Sequence, residues 1–214
     1  MSTIDQPKKN LFYDFSFWTL LFSNLITIFF ATRDGWSLST IMLIYWFQSV
    51  IIGLFNFIRI LQLTEFSTNG LIINDSPAQP TKRTKIFIAF FFLAHYGLFH
   101  VAYLAFILSG SADGLLNGKT DAIDVRLLVL TVILFFANHL FSFIYNRPRD
   151  TKKQNIGSLM FHPYIRIIPM HITIVAGSIF ASAMLPFFLI LKTFSDVLMH
   201  IVEHRIIRRG QEDI

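Results

Sequence analysis

The sequence contains no cysteine. Disulfides, thiolate metal ligands and cysteine nucleophiles are therefore excluded, and any metal would have to be held by His, carboxylate or water. Charge is scarce too: Asp, Glu, Lys and Arg make up 14% of the 214 residues, against roughly 25% in soluble domains. The opening stretch "MSTIDQPKKNLFYDF" has no short apolar core followed by a small-residue cleavage site, so the first apolar segment is expected to stay in the mature chain. Internal repeats and low-complexity tracts are missing, which argues against an inverted-repeat carrier. No nucleic-acid motif accompanies the net charge of +5, so no nucleic-acid partner is expected.

What the chain does have is apolar. Hydrophobic residues make up 54%, Phe occurs 25 times, and the mean hydropathy is +0.57. These values predict an all-α, polytopic integral membrane helix bundle, one membrane domain over residues 1–214 with lipid as its surroundings. Six transmembrane segments are expected at about 15–32, 38–62, 84–109, 125–146, 165–184 and 186–206, each long enough for a ~30 Å hydrocarbon core. Pro186 would start the sixth in its first turn; the alternative is one long kinked helix in place of the fifth and sixth. Gly177 with Ala181, and Ser178 with Ser182, favour close helix packing.

Basic residues give the orientation. Lys8, Lys9, Arg59, Lys82, Arg83, Lys85, Arg147, Arg149, Lys152, Lys153, Arg166, Arg205, Arg208 and Arg209 fall on one side, fourteen against Arg33, Lys119 and Arg126 on the other. By the positive-inside rule both termini are cytoplasmic in the cell membrane, as are the connections 63–83 and 147–164. The polar stretch "STNGLIINDSPAQPTKRTK" over the first of these and the Gly-rich, acidic third loop "SGSADGLLNGKTDAID" read as ordinary connections.

Ionisable residues inside a bilayer are costly and often functional. Counted inward from the cytoplasmic ends at 1.5 Å per residue, His95 lies near ~14 Å, His139 and His171 near ~10 Å, Asp196 near ~14 Å and His200 near ~8 Å. Four helices would thus place a His or Asp in one layer. His100, near ~21 Å, is close in depth to Gln48, and Asn56 is near the His layer on the Gln48 face. Lys192, Asp196, His200 and His204 recur every four residues along one face of the sixth segment.

"HIVEH", His200 to His204, matches the zinc-binding H-x-x-E-H pattern. Glu203, however, points about 100° away from the Asp196–His200–His204 row. The match is read as accidental, with His204 at the rim. A site of three imidazoles and one carboxylate, or of four imidazoles, suits a divalent metal ion, zinc first, then iron, nickel or copper. His95, His139, His171 and His200 are the expected ligands, and Asp196 the catalytic base or a fourth ligand. Tyr96 and Ser142, with Tyr103, Asn138 and Tyr145, could hydrogen-bond the ligands. The plainer alternative is a buried Lys192–Asp196 ion pair, with His200 satisfied by a hydroxyl or carbonyl.

"YWFQSVIIGLFNFIR", "HYGLFHVAY", "NHLFSFIYNR", "HPYIRIIPMH" and "KTFSDVLMHIVEH", in that order, resemble an uncharacterised family of prokaryotic membrane proteins known only as a domain of unknown function. The resemblance spans nearly all of the chain after the first segment and implies no activity. That family commonly carries Glu where this chain has Gln48, so a carboxylate role there is absent. A looser architectural likeness is to the ceramidase, adiponectin-receptor and haemolysin III superfamily, whose intramembrane zinc implies hydrolysis. The chain departs from it in having six helices and in placing Ser142 after His139.

The readings are therefore a metal-dependent hydrolase of a lipid or membrane-embedded substrate, a metal-ion or proton transporter or sensor, a b-type haem protein with two axial His, or a packed bundle whose polar layer serves assembly. A homo-oligomer is compatible with each.

Overall fold

The structure is a computed structural model. It describes residues 38–109, 125–150, 154–176 and 184–212, with scattered positions between 25 and 36; for 146–150, 175–176, 184, 200 and 203–212 only the backbone is described. The segment expected at about 15–32 lies almost wholly outside the described residues, as do the third loop and the small-residue stretch from Gly177 to Ser182.

The described residues are mostly helical. Helix α1 runs Leu38–Gln62, α2 Lys82–Leu108 and α3 Val125–Asp150. All three contain stretches long and apolar enough to cross a membrane. The rest is more broken: α4 Ile156–Phe161, a 3-10 turn His162–Arg166, α5 Ile167–Ala176 and α6 Met184–Glu212. The segment expected as one helix over about 165–184 thus begins as a 3-10 turn. Pro163 opens that turn, where its fixed φ and missing N–H are tolerated. Pro186 falls in the first turn of α6 for the same reason.

Helix α1 is the centre of the packing, touching α2, α3, α4 and the 3-10 turn, while α6 packs on α5 and that turn. Met42, Tyr45, Phe92, Ile156, Met170, Phe188 and Leu189 belong to one buried cluster drawn from α1, α2, α4, α5 and α6. Half of α1's apolar stretch is buried, but none of α3's. Val129, Ile133, Phe136, Leu140 and Ile144 of α3 all face outward. A helix apolar on its exposed side needs apolar surroundings, which here points to membrane association.

The connections around residues 63–80 and 154–161 are not plain loops. Strand β1, Phe66–Ser67, pairs in parallel with β4, Gln154–Asn155, and β2, Ile72–Ile73, pairs with β3, Ser76–Pro77. Asn74 and Asp75 take φ of 50° and 58° between β2 and β3, the left-handed conformation that a two-residue hairpin turn requires and that Asn and Asp tolerate. Asn155 stitches this region together: its Oδ1 accepts from Ser158 N at 3.0 Å, capping α4, while its Nδ2 donates to Asn69 O at 3.0 Å. Lys85 Nζ donates to Leu63 O at 2.7 Å. The result is a fixed platform from which the 3-10 turn projects Arg166.

Candidate functional site

Arg166 was counted from the sequence among loop charges, yet it is only 7% exposed. It ends the 3-10 turn, and that turn is held to α6 by Ser195 Oγ, which donates to Ile165 O at 3.1 Å. From there its Nη1 donates to Asp196 Oδ1 at 3.2 Å and its Nη2 to Gln48 Oε1 at 3.4 Å. Lys192, one helical turn before Asp196, donates to the other carboxylate oxygen, Oδ2, at 2.7 Å. One buried carboxylate thus holds two cations.

Tyr45 of α1 forms the floor. Its ring lies 4.8 Å from Arg166 Cζ and 5.7 Å from Lys192 Nζ, within range of cation–π attraction. Phe188 meets it edge-on at 5.6 Å. Burying charges is costly, and an ion pair repays that cost only when its remaining polar atoms are satisfied. Here two are not: Arg166 Nε and Tyr45 Oη, both buried, have no hydrogen-bond partner among the described residues.

The histidines expected to meet go to separate partners. His95 is exposed, stacks on Phe91 and bonds through Nδ1 to Tyr164 Oη at 2.8 Å. Burial lifts the Tyr164 phenol to about 12, so it stays protonated and able to donate to that nitrogen. His139, half-buried on α3, lies against Phe135 with ring centroids 4.2 Å apart. His171 is exposed, with Nδ1 3.4 Å from Tyr103 Oη. Among the described residues no three His, Asp or Glu side chains group so as to hold a metal ion. His200 and His204 are on α6, but their side chains lie outside the described residues.

The remaining expected residues bind helices together. His100 is buried, its Nδ1 2.8 Å from Tyr96 O; a carbonyl only accepts, so Nδ1 carries the hydrogen. The backbone oxygen of His100 in turn accepts from Trp46 Nε1 at 2.7 Å. Tyr96 Oη sits 2.7 Å from Ser49 Oγ and donates to Ser49 O at 3.1 Å. Asn56, also buried, donates from Nδ2 to Leu159 O at 3.0 Å and so ties α1 to α4. Ser142 is exposed on α3.

Arg166, Tyr45, Trp46, Ser49, Tyr164 and Ser195 make polar contacts here that sequence reasoning missed. The signal for Arg166 was present, since "YIRIIPM" sets it among apolar residues instead of beside the basic run 147–153. A family model described as a family of unknown function (DUF6498) matches residues 7–213. No curated protein and no solved structure matches the chain.

Proposed function

The chain belongs to the family of unknown function DUF6498, and we propose that it is an integral membrane protein that handles a proton or small ion at the Arg166–Asp196–Lys192 cluster, as a transporter or sensor. Three membrane-length helices and the uncovered apolar surface of α3 support the membrane reading. With Arg166 taken out of the loop count, thirteen basic residues still face three. That bias supports six spans with both termini cytoplasmic and lipid as the immediate partner.

The double engagement of Asp196 carries the ion-handling reading. An intramembrane carboxylate marks ion and proton pathways by default. This one is also the electrostatic tie between α6 and the 3-10 turn, and Gln48 links the same guanidinium to α1. Protonating Asp196 removes the charge that holds both cations and so releases α6 from its neighbours. A group that is both proton acceptor and helix tie has what a two-state switch needs.

Proton uptake by proteoliposomes containing a pH-sensitive dye tests this reading. Wild-type protein should speed the collapse of an imposed pH gradient, and Asp196→Asn should not. Equal rates for wild type, Asp196→Asn and empty vesicles would reject it.

A further inference from the structure

We propose that this cluster binds a small oxyanion, a carboxylate or phosphate group, which takes the place of the Asp196 carboxylate on Arg166. This deepens the ion-handling reading and rests on it. Both groups bonded to Asp196 are cationic donors, the Arg166 guanidinium from the 3-10 turn and the Lys192 ammonium from α6 itself; the Tyr45 phenol of α1 lies against both cations, and Gln48 Oε1 is an acceptor already given to Arg166. Such a donor set repels cations and recognises oxyanions. Arg166 is the element of choice, since its planar fork matches the two oxygens of a carboxylate or phosphate.

The two unsatisfied atoms decide the sign of the ligand. Arg166 Nε and Tyr45 Oη are hydrogen-bond donors without an acceptor, and they belong to side chains in direct face contact. A buried donor left without an acceptor is costly, so a ligand that supplies one is favoured. A metal ion would leave Arg166 Nε, which can only donate, unsatisfied, whereas an oxyanion carries lone pairs enough to accept from it and from the Tyr45 hydroxyl. Asp196 occupies the guanidinium through one oxygen only, Oδ1, so an incoming oxyanion competes for a position that an internal carboxylate already fills.

Charge balance then couples the ligand to a proton. As the oxyanion takes Arg166, the released Asp196 Oδ1 accepts one proton while Oδ2 stays with Lys192. The cluster keeps its net charge, so one oxyanion enters with one proton. Oxyanion affinity should therefore rise as pH falls.

The test is calorimetric titration of the detergent-purified full chain with inorganic phosphate and with acetate, chloride serving as control. Short-chain phosphatidic acid, with short-chain phosphatidylcholine as its control, separates a lipid headgroup from a free anion. Tyr45→Phe keeps the ring under Arg166 and removes one donor. It should weaken oxyanion binding roughly tenfold, and the thermal midpoint without ligand should not fall, because the lost hydroxyl had no partner. Saturable heats with phosphate, acetate or phosphatidic acid that shrink in Tyr45→Phe support the proposal, and the responding ligand names the source. Absence of binding, equal affinity in Tyr45→Phe, or chloride binding as tightly as phosphate overturns it. Asp196-dependent proton movement without oxyanion binding overturns this inference and leaves the proton reading standing; oxyanion binding without proton movement does the reverse.

Discussion

Tyr96 lies across Gly53 so closely that a Cβ at Gly53 would sit 2.5 Å from Tyr96 Cε1. The ring cannot step aside cheaply, because it is buried and its hydroxyl is held by both Ser49 Oγ and Ser49 O. Gly53→Ala should therefore force α1 and α2 apart and destabilise the protein by about 1–3 kcal/mol. Thermal unfolding in detergent reads the loss, and the double variant Gly53→Ala, Tyr96→Leu should recover part of it.

Removing Arg166 and Asp196 together should cost less than the sum of removing each alone, because the two are partners in one buried cluster. Arg166→Ala leaves Asp196 with Lys192 alone, and Asp196→Ala leaves two cations against Tyr45. Each should cost about 3–5 kcal/mol, the usual range for one partner of a buried pair. The double variant should cost clearly less than the sum, which a double-mutant cycle on denaturant midpoints measures.

Gln48→Glu should act oppositely on stability and on ligand. A carboxylate at this position meets Arg166 Nη2, now 3.4 Å from the amide oxygen, and turns a weak neutral contact into a charge-assisted one. The thermal midpoint should rise. Oxyanion affinity should fall at least roughly tenfold, since the guanidinium is then held by a second internal carboxylate.

Asn56→Ala should free α4 from α1. Its single bond to Leu159 O crosses between those elements, and losing it strands a buried carbonyl at a cost of about 1–3 kcal/mol. Hydrogen exchange should quicken over Ile156–Phe161 and the following 3-10 turn, with little change in α3.

The helices were legible in the sequence where the apolar run is long and unbroken: α1 falls on 38–62, while α2 and α3 differ from their expected ends by a few residues. The 3-10 entry to α5 was not, because hydropathy reports burial and not backbone geometry. Depth counting grouped His95, His139, His171 and Asp196 by height in the bundle. Height leaves rotation about each helix axis undetermined, and that rotation turns His95 toward Tyr164, His171 toward Tyr103 and Asp196 toward Arg166. Arg166 was hidden by the positive-inside count, which treats every basic residue near a helix end as solvated. The Lys192–Asp196 pair was readable because residues four apart on one helix are neighbours whatever the helix rotation.

The central claim is that Asp196 moves a proton as it ties and releases α6. Internal pH followed in proteoliposomes, with phosphate and acetate on both sides and an imposed pH gradient, measures this most directly. Wild type should collapse the gradient several-fold faster than empty vesicles, Asp196→Glu should retain part of that rate, and Asp196→Asn should fall to the empty-vesicle rate while remaining folded by circular dichroism. Asp196→Asn collapsing the gradient as fast as wild type would contradict the account.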